Sequence, residues 1–504
     1  MKNNIKGRFA ISLAVNVVKA LLGFATGMIM AKGLGVVDYG RFSFLLATFM
    51  SFMSLLDMGT SNAFYTFISK KKQVSKFYYC YLSWMLIQFL TACSVIYLFT
   101  PSSIFTSLFL GEARNTVLIA FIATFFQLQI WNLLSQLAEA SRDTAKIQKL
   151  NLSVSIFNFI IITLLYYIKE INIEFIFYLI IIQYFSAVII FIKTIFNSES
   201  LVDNCSDDIF SLSALLIKFK EYCAPLFVYS WFVFGYKFFD AWLLQFFGGS
   251  EQQAYFAVGA KIAAISLIFT TSLLRILWKE IADAEQQDDK QKVYQLYFRT
   301  TRTLYFVGVS ITAFILPWAS DIIELLLGVE YKHAAIPFAI MLFYPIHQSL
   351  GQISGTMFYA IEETKVFSKL GVFSMVFSSI VAYIVLSDGY KVIPGYSLGA
   401  LGLSLKMVLT QIISVNLALF FIARIRGWTF DWFYQIYMLA MMVGGGYFCY
   451  FSASWLDMDL YLQFFIAGIL YILFTLIFIC FFSSRLFYIE RKHLINVFKV
   501  SRTI

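Results

Sequence analysis

Five charged side chains lie deep inside long apolar stretches of the sequence, where a charge is costly unless it has a partner or a function. Three are basic, Lys19, Lys237 and Lys406, and two are acidic, Asp57 and Asp240. An ammonium group acts as a compact point charge for phosphate oxygens. The excess of basic groups predicts a neutral to positive cavity that suits an anionic headgroup, whereas a site for cationic drugs would be expected to be acidic.

A polar stripe is predicted on one helix. Gln129, Asn132, Gln136 and Glu139 follow one another at i, i+3, i+7 and i+10, which places them on a single helical face. Amide groups can donate and accept hydrogen bonds with sugar hydroxyls. We therefore expect this stripe to border a hydrated cavity.

A second stripe lies at equivalent positions in the other half of the chain. Ser349 and Gln352 match Gln129 and Asn132 of the first stripe, and at the same offset His347 matches Gln127. Both halves of the chain are thus predicted to place polar side chains at equivalent positions of a cavity.

Each of these groups also has a structural interpretation, which the sequence leaves open. Lys237 and Asp240 would neutralise each other, being three residues apart on one helix, and Lys19 would pair with Asp57 at a similar depth. Amide side chains commonly join membrane helices by hydrogen bonds, and His347 would serve in the same way instead of relaying a proton.

Transmembrane helices are the elements that must position these groups. Hydrophobic residues make up 60% of the 504 positions, charged residues 13%, and the mean hydropathy is +0.77. Such a chain could not cover its surface with polar groups in water. Hydropathy windows predict fourteen spans, near residues 9–31, 42–64, 77–100, 115–138, 150–168, 173–192, 222–247, 253–274, 303–320, 335–360, 367–386, 396–422, 433–453 and 461–482.

The distribution of basic residues predicts the orientation of these spans. With alternate loops assigned to the cytoplasm, roughly 28 Lys and Arg residues lie on that side and six on the other. Both termini are then cytoplasmic, and the apolar run after the N-terminus is the first span, since it is too long for a signal peptide. The net charge of +9 belongs mainly to the cytoplasmic face and calls for no nucleic acid. The polar segments 193–221 and 275–302 are predicted to be solvated connectors.

An internal repeat is visible at a slowly drifting offset. Pro101 and Gly111 match Pro317 and Gly328, and the segment 138–150 matches 358–370. The glycine-rich turn after the first span matches as well, with Gly35 upon Gly248. Because six helices per copy is an even number, the two copies form a parallel repeat. We therefore predict six-helix lobes over 1–215 and 216–430, two accessory helices over 431–482 and a basic cytoplasmic tail over 483–504.

The turn also carries a family resemblance. The stretch GFATGMIMAKGLGVVDYGRFSF, with Leu34-Gly35 and Tyr39-Gly40, resembles the first hairpin of bacterial polysaccharide flippases. These are the Wzx-like O-antigen and exopolysaccharide transporters of the multidrug/oligosaccharidyl-lipid/polysaccharide exporter superfamily. The chain departs from the family in having Val36 and Val37 where Pro often follows.

This resemblance implies an all-α, MATE-like polytopic membrane fold of about 14 helices in two pseudo-symmetric lobes. It implies a flippase that moves undecaprenyl-diphosphate-linked oligosaccharide across the bacterial inner membrane by alternating access, alongside a polysaccharide polymerase and a chain-length regulator of the same pathway. Lys19, Lys237 and Lys406 would attract the diphosphate, while coupling to an ion would fall to Asp57, Asp240 or Glu139.

Two other functions remain as alternatives. A multidrug exporter of the same superfamily would need deep acidic residues in excess. A membrane polymerase or glycosyltransferase would need a sizeable outside loop, and the longest here, near 101–114 and 321–334, have about fourteen residues. No enzyme activity is predicted. The six cysteines form no CxxC pair, so neither a metal site nor a disulfide is expected, and no cofactor is predicted.

Overall fold

The computed structural model describes residues 5–194, 211–267, 280–281, 283–389 and 394–487. The helices before the first gap are α1 Ile5–Asp57, α2 Thr60–Lys70, α3 Ser75–Ser94, α4 Ser102–Phe109, α5 Arg114–Thr124, α6 Trp131–Ala140, α7 Thr144–Ile168 and α8 Ile173–Thr194. Those that follow are α9 Leu212–Leu243, α10 Gly249–Ala263, α11 Lys290–Ile315, α12 Ala319–Leu327, α13 Ala335–Met341, α14 Tyr344–Ala360, α15 Thr364–Leu386, α16 Gly399–Arg426, α17 Trp432–Ser454 and α18 Leu460–Phe487. Three π-helical turns, Val95–Phe99, Phe125–Ile130 and Leu244–Gly248, extend or join these helices.

The helices confirm an all-α, multi-pass membrane protein. Within the described ranges, eleven helices are long and apolar enough to cross a membrane. One of them, Val15–Asp57, is 43 residues long and contains most of the predicted spans 9–31 and 42–64. The predicted span 222–247 falls largely within α9, and the end of span 253–274 lies outside the described residues. About fourteen spans therefore remain the best description of the fold.

A bend at Gly35 separates the first two spans. Its backbone has φ 72° and ψ 174°, a combination that is essentially open to glycine alone. Gly249 repeats this conformation, with φ 73° and ψ −177°. The structural equivalent of Gly35 is thus Gly249, so the sequence alignment that placed Gly35 upon Gly248 was wrong by a single position.

A second local conformation repeats at a pair of positions that the sequence alignment matches. Arg142 and Glu362 have φ of 63° and 62°, and each follows the end of a helix. The next residue closes the turn in both copies, because Asp143 N–H donates to the carbonyl of Ala138 at 2.8 Å and Glu363 N–H to that of Phe358 at 3.0 Å. The internal repeat is therefore visible in the backbone as well as in the sequence.

Some predicted boundaries are wrong for local reasons. The second span ends at Asp57 and not near 64, because Met58 and Gly59 adopt φ of 45° and 82° and break the helix. The predicted connectors 193–221 and 275–302 are partly helical, since α9 begins at Leu212 and α11 at Lys290. The predicted loop 101–114 contains the short helix α4.

The contacts divide the chain into two compact units. Unit 1 comprises Met1–Ala257 and Ser378–Leu403, and unit 2 comprises Val258–Phe377 and Ser404–Ile504. In unit 1, α1 packs along α7 and α9; in unit 2, α11 packs against α14, α17 and α18. The two units are defined by contacts between residues and are not the lobes of the repeat. The lobe boundaries predicted from the sequence stay predictions.

An ion pair holds the bend of α1 in unit 1. The Arg41 guanidinium donates to both carboxylate oxygens of Glu112, at 2.7 and 2.8 Å, and to Asp38 at 3.1 Å. Glu112 is only 9% exposed. Such bidentate geometry is the strong form of an Arg–carboxylate pair.

Glycine allows a close helix contact in unit 2. A Cβ added at Gly446 on α17 would lie 2.1 Å from the carbonyl oxygen of Ala313 on α11, whereas one at Gly444 would meet nothing within 4 Å. The two backbones approach so closely that a side chain at Gly446 does not fit, as is common where membrane helices pack.

Candidate functional site

A cavity of about 480 Å³ lies within unit 1, among α1, α7 and the segment that joins α5 to α6. Most of the side chains in its wall are polar, and the others are apolar. Its main polar lining residues are Lys19, Asp57, Gln127, Gln129, Asn132 and Asn151. Four of the twelve residues singled out in the sequence, Lys19, Asp57, Gln129 and Asn132, therefore meet in one place.

Lys19 provides the positive charge of this cavity. Its half-buried side chain projects from α1, and within the described ranges it makes no hydrogen bond and no ion pair. Asp57 lines the same cavity, but no ion pair within 4 Å joins the two groups. The structural interpretation of Lys19 as a partner of Asp57 is therefore not supported by this geometry.

Asp57 is committed to the backbone. One carboxylate oxygen accepts a hydrogen bond from Gly59 N–H at 3.2 Å, and the other accepts one from Ser61 N–H at 3.0 Å. A carboxylate at the start of a helix satisfies amide donors there and interacts favourably with the helix dipole. Asp57 thus holds the beginning of α2.

A π-helical turn shapes the amide wall of the cavity. Phe125–Ile130 forms this turn between α5 and α6, and both Gln127 and Gln129 lie in it. The Gln129 amide donates to the carbonyl oxygen of Met53 at 3.0 Å, which ties the wall to α1. Asn132 is exposed to the cavity. π-Helical turns inside helices are frequent at functional sites.

An indole and an amide meet at the edge of this wall. Trp131 Nε1–H donates to Asn151 Oδ1 at 2.8 Å, joining α6 to α7. The sequence prediction missed Asn151, although Gln148, Asn151, Ser155 and Asn158 recur at i, i+3, i+7 and i+10 along α7. The same helical spacing that identified the first stripe could therefore have found it. The bond leaves the Asn151 NH₂ group as a donor for a ligand.

The remainder of the first stripe does not line this cavity. Gln136 lies one turn beyond Asn132, and among the described residues its buried Oε1 has no hydrogen-bond partner. Glu139 is exposed near the end of α6. The cavity ends before the stripe does, since helical spacing fixes the face of a residue but not how far along that face a cavity extends.

Lys237 and Asp240 lie on α9, outside the lining of this cavity. Lys237 is exposed, and Asp240 is buried with 8% of its surface accessible. In the part of the chain that the structure describes, Lys237 makes no ion pair within 4 Å. The two side chains therefore do not neutralise each other directly.

The remaining candidates lie in unit 2. Lys406 on α16 is fully enclosed, with 0% of its surface exposed. On α14, His347 is 4% exposed and its Nδ1 lies 3.4 Å from the carbonyl oxygen of Phe343, while Ser349 Oγ donates to the carbonyl of Pro345 at 2.8 Å. Gln352 has a buried Oε1 with no partner in the described segments. His347 and Ser349 make bonds within their own helix, and their roles in a cavity remain predictions.

Solved structures of two kinds of membrane transport protein share this fold. A lipid II flippase MurJ in an inward closed conformation matches with a TM-score of 0.69 and 18% identity, over 94% of this chain and 98% of that one. A multidrug resistance MATE family transporter of the MOP superfamily, in an inward-facing conformation, matches with a TM-score of 0.61 and 15% identity, over 83% and 99%.

A MOP superfamily transporter from Pyrococcus furiosus, described by the reversed polarity of its binding pocket, matches with a TM-score of 0.54 and 16% identity, over 83% of this chain and 94% of that one. No protein-family model matches the sequence, and no curated protein matches it. Sequence identities this low show a shared fold and nothing finer. The chain has the fold of the MurJ and MATE structures.

Proposed function

We propose that the chain is a flippase for undecaprenyl-diphosphate-linked oligosaccharide, the repeat unit of O-antigen or a similar surface polysaccharide, and that it works by alternating access. The observation that carries this proposal is Lys19, whose amine faces an amide-lined cavity without a bonded partner in the described ranges. A fold shared with a lipid II flippase supports it.

The chemistry of the cavity divides the substrate into three parts. Lys19 attracts the diphosphate, because an ammonium group binds phosphate oxygens as a point charge. Gln127, Gln129 and Asn132 exchange hydrogen bonds with sugar hydroxyls. The polyprenyl tail stays in lipid. A volume of about 480 Å³ accommodates a headgroup and not a whole lipid-linked oligosaccharide.

Further parts of this proposal rest on charge and on the family resemblance. The excess of basic residues in alternate loops supports an inner-membrane protein with both termini in the cytoplasm. Lys237 and Lys406 contribute to the cationic pathway, and Asp240 or Glu139 couples transport to an ion. A polymerase and a chain-length regulator act on the product in the same pathway.

A multidrug exporter is the second candidate, since MATE transporters share the fold. The bonding of the two charged side chains in the cavity favours the flippase. The acidic side chain, Asp57, is already bonded to two amide groups of α2, whereas the basic side chain is unbonded. A cationic drug would therefore find the carboxylate already engaged, and the ammonium group of Lys19 would repel it.

The proposal is tested in cells in which the chain is the sole transporter of its kind. Lys19→Gln removes the charge with little change in volume, and Lys32→Gln makes the same change on the exposed side of α1, outside the cavity. We expect Lys19→Gln to accumulate lipid-linked oligosaccharide in the inner leaflet and Lys32→Gln to behave like wild type. Normal export in Lys19→Gln, at matched protein levels, would contradict the site. A loss of drug efflux with normal oligosaccharide export would favour the second candidate.

A further inference from the structure

Two amide side chains in the wall of the cavity that contains Lys19 are each committed at one end. Gln129 donates its NH₂ group to the carbonyl oxygen of Met53 on α1 at 3.0 Å. Asn151 accepts the indole N–H of Trp131 on its Oδ1 at 2.8 Å. These partners fix which end of each amide is used, because a backbone carbonyl can only accept and an indole N–H can only donate. Gln129 therefore keeps an acceptor, Oε1, and Asn151 keeps a donor, Nδ2.

The two free ends are open to a ligand. Gln129 and Asn151 are half-buried, and both line the cavity. Over the ranges that the structure describes, Gln129 Oε1 and Asn151 Nδ2 make no hydrogen bond, yet neither atom belongs to the buried polar atoms that lack a partner. Each atom is therefore exposed, and the cavity is the space that both residues share.

The indole that orients Asn151 is itself held in place. Trp131 is 8% exposed, and its ring packs against Tyr184 on α8, with 5.5 Å between the centroids and 69° between the ring planes. The Tyr184 side chain is hydrogen-bonded to Gln127, another residue of the cavity wall. Edge-to-face contacts of this kind favour one relative orientation of two rings. Trp131 is thus a positioning residue, which keeps the NH₂ group of Asn151 free.

An acetamido group has the ligand chemistry that matches these two ends. Its N–H donates and its carbonyl oxygen accepts, and in a trans amide the two point in opposite directions. A sugar hydroxyl also donates and accepts, but it does so from a single oxygen atom, so it matches two amide ends on different helices less well. A volume of about 480 Å³ holds a phosphate at Lys19 together with the sugar next to it.

We infer that the cavity selects lipid-linked oligosaccharides whose first sugar carries an acetamido group. The N–H of that group, in place of a hydroxyl, donates to Gln129 Oε1, and its carbonyl oxygen accepts from Asn151 Nδ2. This inference rests on the proposed flippase function and adds to it the class of sugar next to the diphosphate. Sugars further along the chain lie beyond a cavity of this volume and are not selected by it.

The test compares two fluorescent undecaprenyl-diphosphate oligosaccharides that are identical except for the first sugar, N-acetylglucosamine in one and glucose in the other. Proteoliposomes of the purified full chain should transfer the first roughly tenfold faster, because two hydrogen bonds between neutral groups together contribute about that factor. The double variant Gln129→Met/Asn151→Leu removes both amides with little change in volume and should transfer the two at similar rates. Trp131→Phe should lower the preference although Asn151 is still present.

The control is the double variant Gln88→Met/Asn158→Leu. Gln88 donates to the carbonyl oxygen of Leu56 on α1 at 2.7 Å, and Asn158 on α7 accepts from Gln183 at 3.3 Å. The control therefore breaks the same two kinds of bond outside the lining of the cavity, and it should keep the preference. The readout is the ratio of the two transfer rates, since damage to the fold slows both substrates alike.

Equal rates for the two substrates in wild type would overturn the inference and leave the flippase function standing. A preference that persists in Gln129→Met/Asn151→Leu, or that the control loses equally, would overturn the assignment to these two amides. Transfer of neither substrate by wild type would overturn the proposed function, and the inference would fall with it. If the double variant does not fold, its two substitutions are measured singly, and each should lower the preference about threefold.

Discussion

Replacing Gly35 with alanine should destabilise unit 1 by about 1–3 kcal/mol, the usual cost of a residue held in a disfavoured backbone conformation. The positive φ of 72° with ψ of 174° is the reason. A Cβ at Gly35 would meet nothing within 4 Å, so packing contributes nothing to this cost. The whole effect should come from backbone strain at the bend between the first two spans.

Two matched variants separate strain from other effects. Gly249→Ala should cost as much as Gly35→Ala, because its φ and ψ are nearly the same and its Cβ would also lie in open space. Gly23→Ala lies in the helical part of α1 and likewise meets nothing within 4 Å. It should be neutral or stabilise the protein by up to about 1 kcal/mol, since alanine is the better helix former.

The melting temperatures of the three purified variants and wild type measure the difference in stability. They are compared in one detergent and at one heating rate, because unfolding of such proteins is often irreversible and depends on the rate of heating. We expect Gly35→Ala and Gly249→Ala to melt clearly below wild type and Gly23→Ala to melt at or above it. If Gly35→Ala melted together with Gly23→Ala, the bend would not require glycine, and its equivalence to Gly249 would lose its physical basis.

Two further variants test contacts within each unit. Arg41→Gln should lower the stability of unit 1 by about 1–3 kcal/mol. This is less than the loss of a fully buried ion pair would cost, because Arg41 is partly exposed. In a double-mutant cycle followed by melting, Glu112→Gln in the Arg41→Gln background should recover most of the lost stability. Gly446→Ala should loosen α17 from α11 and speed thiol labelling of the buried Cys449 one turn away. The control Gly444→Ala should leave the labelling rate unchanged. Equal labelling rates for the two variants would show that the close backbone contact does not matter.

Hydropathy predicts most of this fold because a membrane helix must satisfy its own backbone and present apolar side chains to lipid. The glycine-rich stretch was predicted to be a turn between spans, and the structure reduces this turn to a bend at Gly35 with helix on both sides. What hydropathy misses is local: the break at Met58 and Gly59, which ends the second span early, and the π-helical turn at Phe125–Ile130. Neither leaves a periodic signal, since both depend on how the chain packs.

The candidate site divides in the same way. Helical spacing and depth identify Lys19, Gln129 and Asn132, and the structure places all three in one cavity. Depth along a helix does not tell which way a side chain faces. Sequence reasoning therefore treats Lys19 and Lys406 alike, although the structure exposes the first to a cavity and encloses the second completely. The capping bonds of Asp57 escape it too, because they depend on the helix break that follows.

The measurement that most directly tests the flippase proposal is the transfer rate of a fluorescent undecaprenyl-diphosphate oligosaccharide across proteoliposomes that contain wild type, Lys19→Gln or Lys19→Arg. A hydrogen bond to a charged group contributes about 1.5–3 kcal/mol, which corresponds to a roughly ten- to hundredfold slower rate for Lys19→Gln. Lys19→Arg keeps the charge and should retain most of the rate. Equal rates for Lys19→Gln and wild type would contradict the proposal that Lys19 attracts the diphosphate.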